Sequence, residues 1–291
     1  MTPDEELLEL SAGNRARVKT AGSTLAALTH RGHDLIVQFD PLRSTGVAYQ
    51  GCTLAPWPNC VAGGAYGWAG RVLEVPVNED APRSALHGLA CWQNWTPAER
   101  TGSSLRLALG FVASPGYPLE LNLDATYSRD AVGLTVAVSA TNEGDATAPF
   151  RASSHPFLTC GVLVDDCTLV VLADEVVVRD ASLILPDVRS VTGTPWGLRR
   201  AEALGAYSMD KAYQDLPPGA GWAVMLPVGY RGVTLESDTA RFQVDTGELL
   251  GRRGVAVEAL TCHSDAFNQA PDTVRLARGP RTRLRFAIRP V

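Results

Sequence analysis

Five histidines and one carboxylate set in an apolar run are the residues of this chain whose types suit proton transfer near neutrality. Histidine titrates close to pH 7, and a carboxylate drawn into apolar surroundings has its ionised form disfavoured, so both can serve as general acids or bases. The carboxylate is Glu258, in the run VAVEAL. Burying it is costly without a partner, which makes it a candidate general base; a side chain on the wet face of its strand is the alternative that the run leaves open. His155 lies in SSHPFLTCG, and the proline after it restricts its backbone to the extended region, so its ring is displayed from an extended segment. A core histidine with a satisfied ring is the commoner fate of such a residue. His87, in ALHGLACW, and His263, in EALTCHSDAF, complete the candidates, whereas His30 and His33, in THRGHDL, read as solvated residues of a polar turn.

The elements that must position these groups carry the periodicity of strands. Leu119, Leu121 and Leu123 alternate with Glu120, Asn122 and Asp124, and Leu134, Val136 and Val138 with Thr135, Ala137 and Ser139. Leu284, Phe286 and Ile288 alternate with arginines in the same way, so one face of each run is apolar and the other wet. Similar runs recur at LIVQFD, SSLRLALGFV, TLVVLADEVVV, GWAVMLPV, GVTLES, RFQVDT and VAVEALTC, with Gly, Pro, Asn or Asp between most of them. Helical periodicity is nearly absent: a short helix is expected around Asp4 to Leu10, and a single turn near Pro82 to Leu86. So many short strands with so little helix imply an all-β fold, a large sandwich or barrel.

The bulk properties narrow the function classes. With 45% hydrophobic and 20% charged residues, the composition is that of a globular protein. A net charge of -5 and scattered arginines argue against nucleic acid, which needs a clustered basic surface. The acidic start MTPDEELLEL is unlike a signal peptide, and no run of about 18 apolar residues could span a bilayer, so a soluble, cytoplasmic protein is expected. The six cysteines form no CxxC pair and no zinc-site spacing, and read as reduced, mostly buried thiols. No repeat or linker divides the chain, and one domain over residues 1–291 is expected.

The segments GCTLAPWPN, NEDAPRSALHGL, SSHPFLTCG, MDKAYQDL and VEALTCHSDAFN, in this order, resemble the motif series of the aldose 1-epimerase (galactose mutarotase) family, from about residue 35 to the C-terminus. The resemblance implies a large two-sheet antiparallel β-sandwich of the supersandwich type, with a monosaccharide bound in a cleft across one sheet. It places the catalytic base on Glu258, the catalytic acid on His155, a second active-site histidine on His87 and a sugar-binding aspartate on Asp210. For Asp210 a turn-capping role is the alternative reading. No metal or redox cofactor is called for. The implied reaction opens the pyranose: Glu258 takes the proton of the C1 hydroxyl, His155 as imidazolium protonates O5, and the roles reverse after rotation about C1–C2. Pairing with a carboxylate is expected to raise the histidine's pKa and keep it protonated near neutrality.

One departure is visible. Family members commonly read PWPNR at the first motif, with the arginine near the sugar, where this chain has PWPNC and Cys60. A thiol lacks the planar donor fork of a guanidinium, which opens the identity of the sugar more than the acid–base pair; Arg71 is the nearest replacement in sequence. A free hexose is the expected substrate. The alternatives are a phosphorylated or sulfonated sugar, which calls for two or more convergent basic residues, and a carbohydrate-binding protein without catalysis. Trp57, Trp68, Trp92 and Trp95 read as core or rim packing. The sequence leaves monomer and homodimer both open.

Overall fold

The computed structural model of the protein describes residues 5–9, 14–39, 46–80, 82–130, 132–178, 187–217, 221–227, 232–279 and 281–291. They form an all-β structure whose strand ladders are all antiparallel and whose α-helix content, among the described residues, is the single turn Ala266–Gln269. The larger sheet has nine strands, in the order Thr96–Arg100, Ser104–Phe111, Leu121–Arg129, Leu134–Asn142, Arg281–Pro290, Val233–Ser237, Gly221–Pro227, Cys167–Val171 and Glu202–Ala203. The second has six, in the order Phe157–Leu158, Val255–Ala259, Phe242–Asp245, Asp210–Gln214, Glu175–Val178 and Asp187–Ser190.

The alternation read from the sequence is what makes these sheets two-faced. Leu107, Ala125, Val138 and Leu284 are successive cross-strand partners in the nine-stranded sheet, and all four are buried. Val176, Tyr213, Phe242, Val244 and Val257 of the six-stranded sheet belong to the same continuous apolar cluster, so the inner faces of the two sheets share one core. On the outer face Asp124 accepts from Arg106 and Arg281, each at 2.7 Å, in a position where water leaves such pairs little net energy.

Three local expectations are corrected. Glu5–Glu9 is a strand, not part of a helix from Asp4 to Leu10 (both of which lie outside the described residues); it pairs with Asn14–Lys19 so that Glu5 is in register with Lys19 and Glu9 with Arg15. The ladder with the next strand satisfies backbone groups that an isolated helix of this length would hold only marginally. The turn expected near Pro82 to Leu86 is instead the strand Arg83–Leu86, held against Cys60–Ala62. The LIVQFD run is held by the bridge Ile36↔Leu158 and by hydrogen bonds from Leu35 N–H to Leu28 O at 2.9 Å, Val37 N–H to Phe157 O at 2.8 Å and Thr159 N–H to Leu35 O at 3.1 Å; its Leu35, Ile36, Val37 and Phe39 are buried side chains of an extended segment, and Asp40 lies outside the described residues.

Candidate active site

Glu258 owes its place to strand register. Val257 and Ala259 point into the core, so the residue between them faces the other side of the six-stranded sheet. There it heads a row of cross-strand neighbours, Glu258, Gln243, Ala212 and Val177, that forms the floor of a cleft of about 440 Å³. The face is not wet at this point: Glu258 is 2% exposed. The next row puts Asp210 opposite Asp245, and both carboxylates line the same cleft.

His155 enters from the short link between Ser153–Ser154 and Phe157–Leu158. Its backbone is fixed on both sides, its N–H donating to Cys52 O at 3.1 Å and its carbonyl accepting from Gly51 N–H at 2.8 Å. The extended backbone that Pro156 imposes carries the ring over the sheet, with Nε2 3.3 Å from Glu258 Oε1. His87 arrives from the end of the Arg83–Leu86 strand, with its ring centroid 5.2 Å from that of His155. It is held at a left-handed φ of 63°, its N–H donating to Asn59 O at 2.7 Å. The next residue permits this turn: Gly88 has φ 72°, and a Cβ there would sit 2.2 Å from Ala55 O. Gly88→Ala is therefore expected to displace the backbone at His87 and cost on the order of 2 kcal/mol or more. By calorimetry this is a fall in Tm of roughly 4–8 °C.

The charges in the cleft are set by burial. Glu258 is pushed well above the usual carboxylate range by desolvation, reinforced by the negative charges of Asp210 and Asp245. Burial lowers His155 to about 4 and holds His87 well below the usual histidine value, with His155 adding to the effect on His87. Pairing was expected to keep His155 protonated; here desolvation lowers it instead, and burial disfavours the charged form of both members of the pair. Asp245 is pushed up to about 6, again mainly by burial, although its Oδ1 accepts from Gly247 N–H at 2.8 Å. Three buried atoms, Glu258 Oε2, His155 Nδ1 and His87 Nδ1, have no hydrogen-bond partner among the described residues. Uncompensated buried polar atoms are rare, and three on adjacent side chains of one cleft mark a place built to receive polar groups.

Asp210 is exposed at the cleft wall, and its Oδ1 accepts from Gln243 Nε2 at 2.5 Å; Gln243 Oε1 in turn lies 3.4 Å from Asn59 Nδ2. Gln243, Asn59, Asp245, Lys211 and Tyr49 line the cleft without having been singled out in the sequence. For the first and third a signal existed: in RFQVDT, Gln243 and Asp245 alternate with Phe242 and Val244 and so face away from the core. Cys60 also lines the cleft, its thiol 3.0 Å from Ser264 Oγ, whereas Arg71 is exposed elsewhere and brings no guanidinium to this space. His30 and His33 close a hairpin, and His263 follows the Val255–Ala259 strand; none lines the cleft. Trp57, Trp68 and Trp95 are buried with their indole N–H groups bonded to carbonyls, and Trp92 is exposed beside Tyr49. The six cysteines form no disulfide. Among the described residues no group of three or more His, Cys, Asp or Glu is arranged to hold a metal ion, and no helix is long and apolar enough to cross a membrane.

Comparison with known proteins agrees with this architecture. The chain is 32% identical over 286 residues to the uncharacterised protein YihR of Escherichia coli K12, covering 97% of this chain and 92% of that one. It is 26% identical over 169 residues to the galactose mutarotase of Mus musculus, covering 56% of this chain and 48% of the mouse protein. Among solved structures, the GalM/aldose epimerase homologue from C. elegans superposes with a TM-score of 0.87 at 20% identity, covering 99% of this chain and 98% of that one. Galactose 1-epimerase from Lactobacillus acidophilus does so with 0.84 at 18%, covering 99% and 94%. These structural likenesses establish the fold as galactose mutarotase-like, and the sequence model of the aldose 1-epimerase family matches residues 6–289: the chain belongs to the aldose 1-epimerase family.

Proposed function

We propose that this protein is a mutarotase that interconverts the α and β anomers of a free hexose, with Glu258 and His155 as the base and acid. The observation that carries the reading is the His155 Nε2 to Glu258 Oε1 contact of 3.3 Å on the floor of a cleft that also receives His87 and Asp210. The pair holds one proton at rest. With a sugar bound, that proton passes from Glu258 to His155, as the C1 hydroxyl and O5 supply the hydrogen bonds that the buried charges otherwise lack. Glu258 then takes the C1 hydroxyl proton while His155 protonates O5; the C1–O5 bond breaks and C1 becomes a carbonyl. After rotation about C1–C2 the same two protons return and the ring closes on the other face. General acid–base assistance of this kind is worth roughly 10²–10⁴-fold, with positioning adding to it. His87, neutral and beside His155, is placed to hydrogen-bond the anomeric region, and Asp210 to accept from sugar hydroxyls at the cleft wall.

A neutral sugar is favoured over an anionic one. Among the described residues lining the cleft, Lys211 is the one fixed cation, against Glu79, Asp210, Asp245 and Glu258. Two convergent cations, the arrangement a phosphate or sulfonate calls for, are not assembled there, and Cys60 with Ser264 occupies the position where the family commonly has arginine. Polarimetry of freshly dissolved α-glucose, α-galactose and a 6-phosphorylated or 6-sulfonated hexose tests both parts. Wild type is expected to speed equilibration of a neutral hexose over buffer and over Glu258→Gln. Preference for the anionic sugar overturns the substrate assignment, and equilibration of no sugar in a broad panel sinks the enzyme reading.

A further inference from the structure

The residue that touches most of the cleft's machinery without a role so far is Tyr49. It sits in the tight turn Val47–Tyr49, where Ala48 and Tyr49 both take left-handed φ, 51° and 55°. Two residues on, Gly51 donates its N–H to the His155 carbonyl, so the same turn braces the catalytic loop. The Tyr49 ring meets His87 edge-on, with centroids 4.6 Å apart, and lies nearly parallel to His155 at 6.5 Å, with an interplanar angle of 26°. Trp92 also meets it edge-on, with centroids 5.6 Å apart. The ring thus limits how far the His87 imidazole can swing, which matters because Nδ1 of His87 has no partner among the described residues to fix it.

The hydroxyl is oriented as well. Asn78 Oδ1 accepts from Leu86 N–H at 2.6 Å, and its Nδ2 donates to Leu86 O at 3.1 Å, so both ends of the amide are assigned by one backbone residue. That assignment leaves Nδ2 facing Tyr49 Oη at 2.9 Å, and the phenolic oxygen must accept. Its single proton is consequently directed away from Asn78. Burial pushes the phenol up to about 12, so the proton is retained across the working pH range.

We infer that Tyr49 is a further residue of the sugar site: its ring positions His87, and its hydroxyl, turned by Asn78, donates a hydrogen bond to the bound sugar. This rests on the mutarotase reading of the cleft. Asn78, exposed and bonded to the last residue of the strand that delivers His87, acts through Tyr49 and not on the sugar.

Tyr49→Phe removes the hydroxyl and keeps the ring; Tyr49→Leu removes both. Calorimetric binding of D-glucose and D-galactose, steady-state polarimetry and histidine side-chain ¹H–¹⁵N spectra, with His87 assigned by its loss in His87→Asn, read the two roles separately. For Tyr49→Phe, Kd and KM are expected to rise roughly 3- to 10-fold with kcat little changed. Tyr49→Leu is expected in addition to lower kcat by roughly 10- to 100-fold and to move the His87 ring resonances. Sugar affinity unchanged in Tyr49→Phe overturns the hydrogen bond, and His87 resonances and kcat unmoved in Tyr49→Leu overturn the positioning. The readouts separate this inference from the reading beneath it. Wild type that binds sugar without equilibrating it defeats the mutarotase assignment while the Phe variant's affinity still judges Tyr49. Wild type that binds neither sugar overturns the contact, and the His87 resonances then decide the positioning alone. If Tyr49→Leu fails to fold, the near-isosteric Phe variant still decides the hydrogen bond, and Tyr49→Met takes the place of Leu in deciding the positioning.

Discussion

Glu258→Gln is expected to lose anomerisation by roughly 10²–10⁴-fold and, at the same time, to melt at a higher temperature than wild type by an amount that grows with pH. The first effect follows from replacing a group that can hold or release a proton with an amide that cannot. The second follows from linkage. The folded protein holds the Glu258 proton well above the ordinary value of 4.5, so between 4.5 and that raised pKa the folded state binds more protons than the unfolded one. Stability contributed by the protonated group is complete below 4.5 and is lost as pH rises through the folded pKa. The glutamine variant has no such loss. One opposing effect must be weighed, since removing one member of a buried ion pair strands its partner as an uncompensated charge. That penalty requires a charged His155, and with a pKa of about 4 the imidazole is neutral at the pH values concerned. The variant should therefore match wild type near pH 4.5 and melt increasingly above it as pH rises. Scanning calorimetry between pH 5 and 9 decides the matter: a difference that shrinks or reverses with rising pH rules out the raised carboxyl.

That coupling shows how the site was only partly legible in the sequence. Alternation in Leu134, Val136 and Val138 specifies a half-buried strand because a side-chain period of two leaves no other way to hide three apolar residues, and all three are buried. The EELLE segment defeated the same logic. Its length is too short for periodicity to choose between helix and strand, and what decides is the backbone ladder with Asn14–Lys19. Glu258 was conspicuous because a carboxylate interrupted an apolar run. Gln243 and Asp245 were not, because alternation with polar residues is ordinary for a strand with one wet face; only the fold shows that this wet face is the cleft floor. Cys60 could be flagged as a departure, but its partner Ser264 is 204 positions away and emerges only from the docking of the segment after Glu258. The direction in which burial shifts His155 is hidden from the sequence for a related reason. Charge attraction can be argued from a pair of residue types, whereas desolvation depends on how many atoms surround them, a quantity that belongs to the packed structure.

His155→Gln supplies the complementary test, because its amide can keep a donor near Glu258 Oε1 without being able to carry a proton to O5. Its kcat is expected to fall roughly 10²–10⁴-fold with KM much less affected, since the lost interaction is made in the transition state. The wild-type pH profile identifies the group more sharply. The pair holds one proton in its active form, and a second binds when His155 is protonated, leaving no base. Because burial lowers His155 to about 4, the acid limb of kcat/KM belongs near pH 4 and not near the 6.5 of an exposed histidine. Below that limb activity falls as the second proton binds; above it activity persists until the raised carboxyl finally yields its proton. Both limbs report the pair and not one residue. Asp245 also faces the cleft and titrates near 6, so the profile is to be recorded in Asp245→Asn as well. A limb near 6 that disappears in that variant is the work of Asp245. A limb near 6.5 that survives it would mean that the pair takes up its second proton as readily as an exposed histidine does, and that burial does not lower His155 in the folded protein.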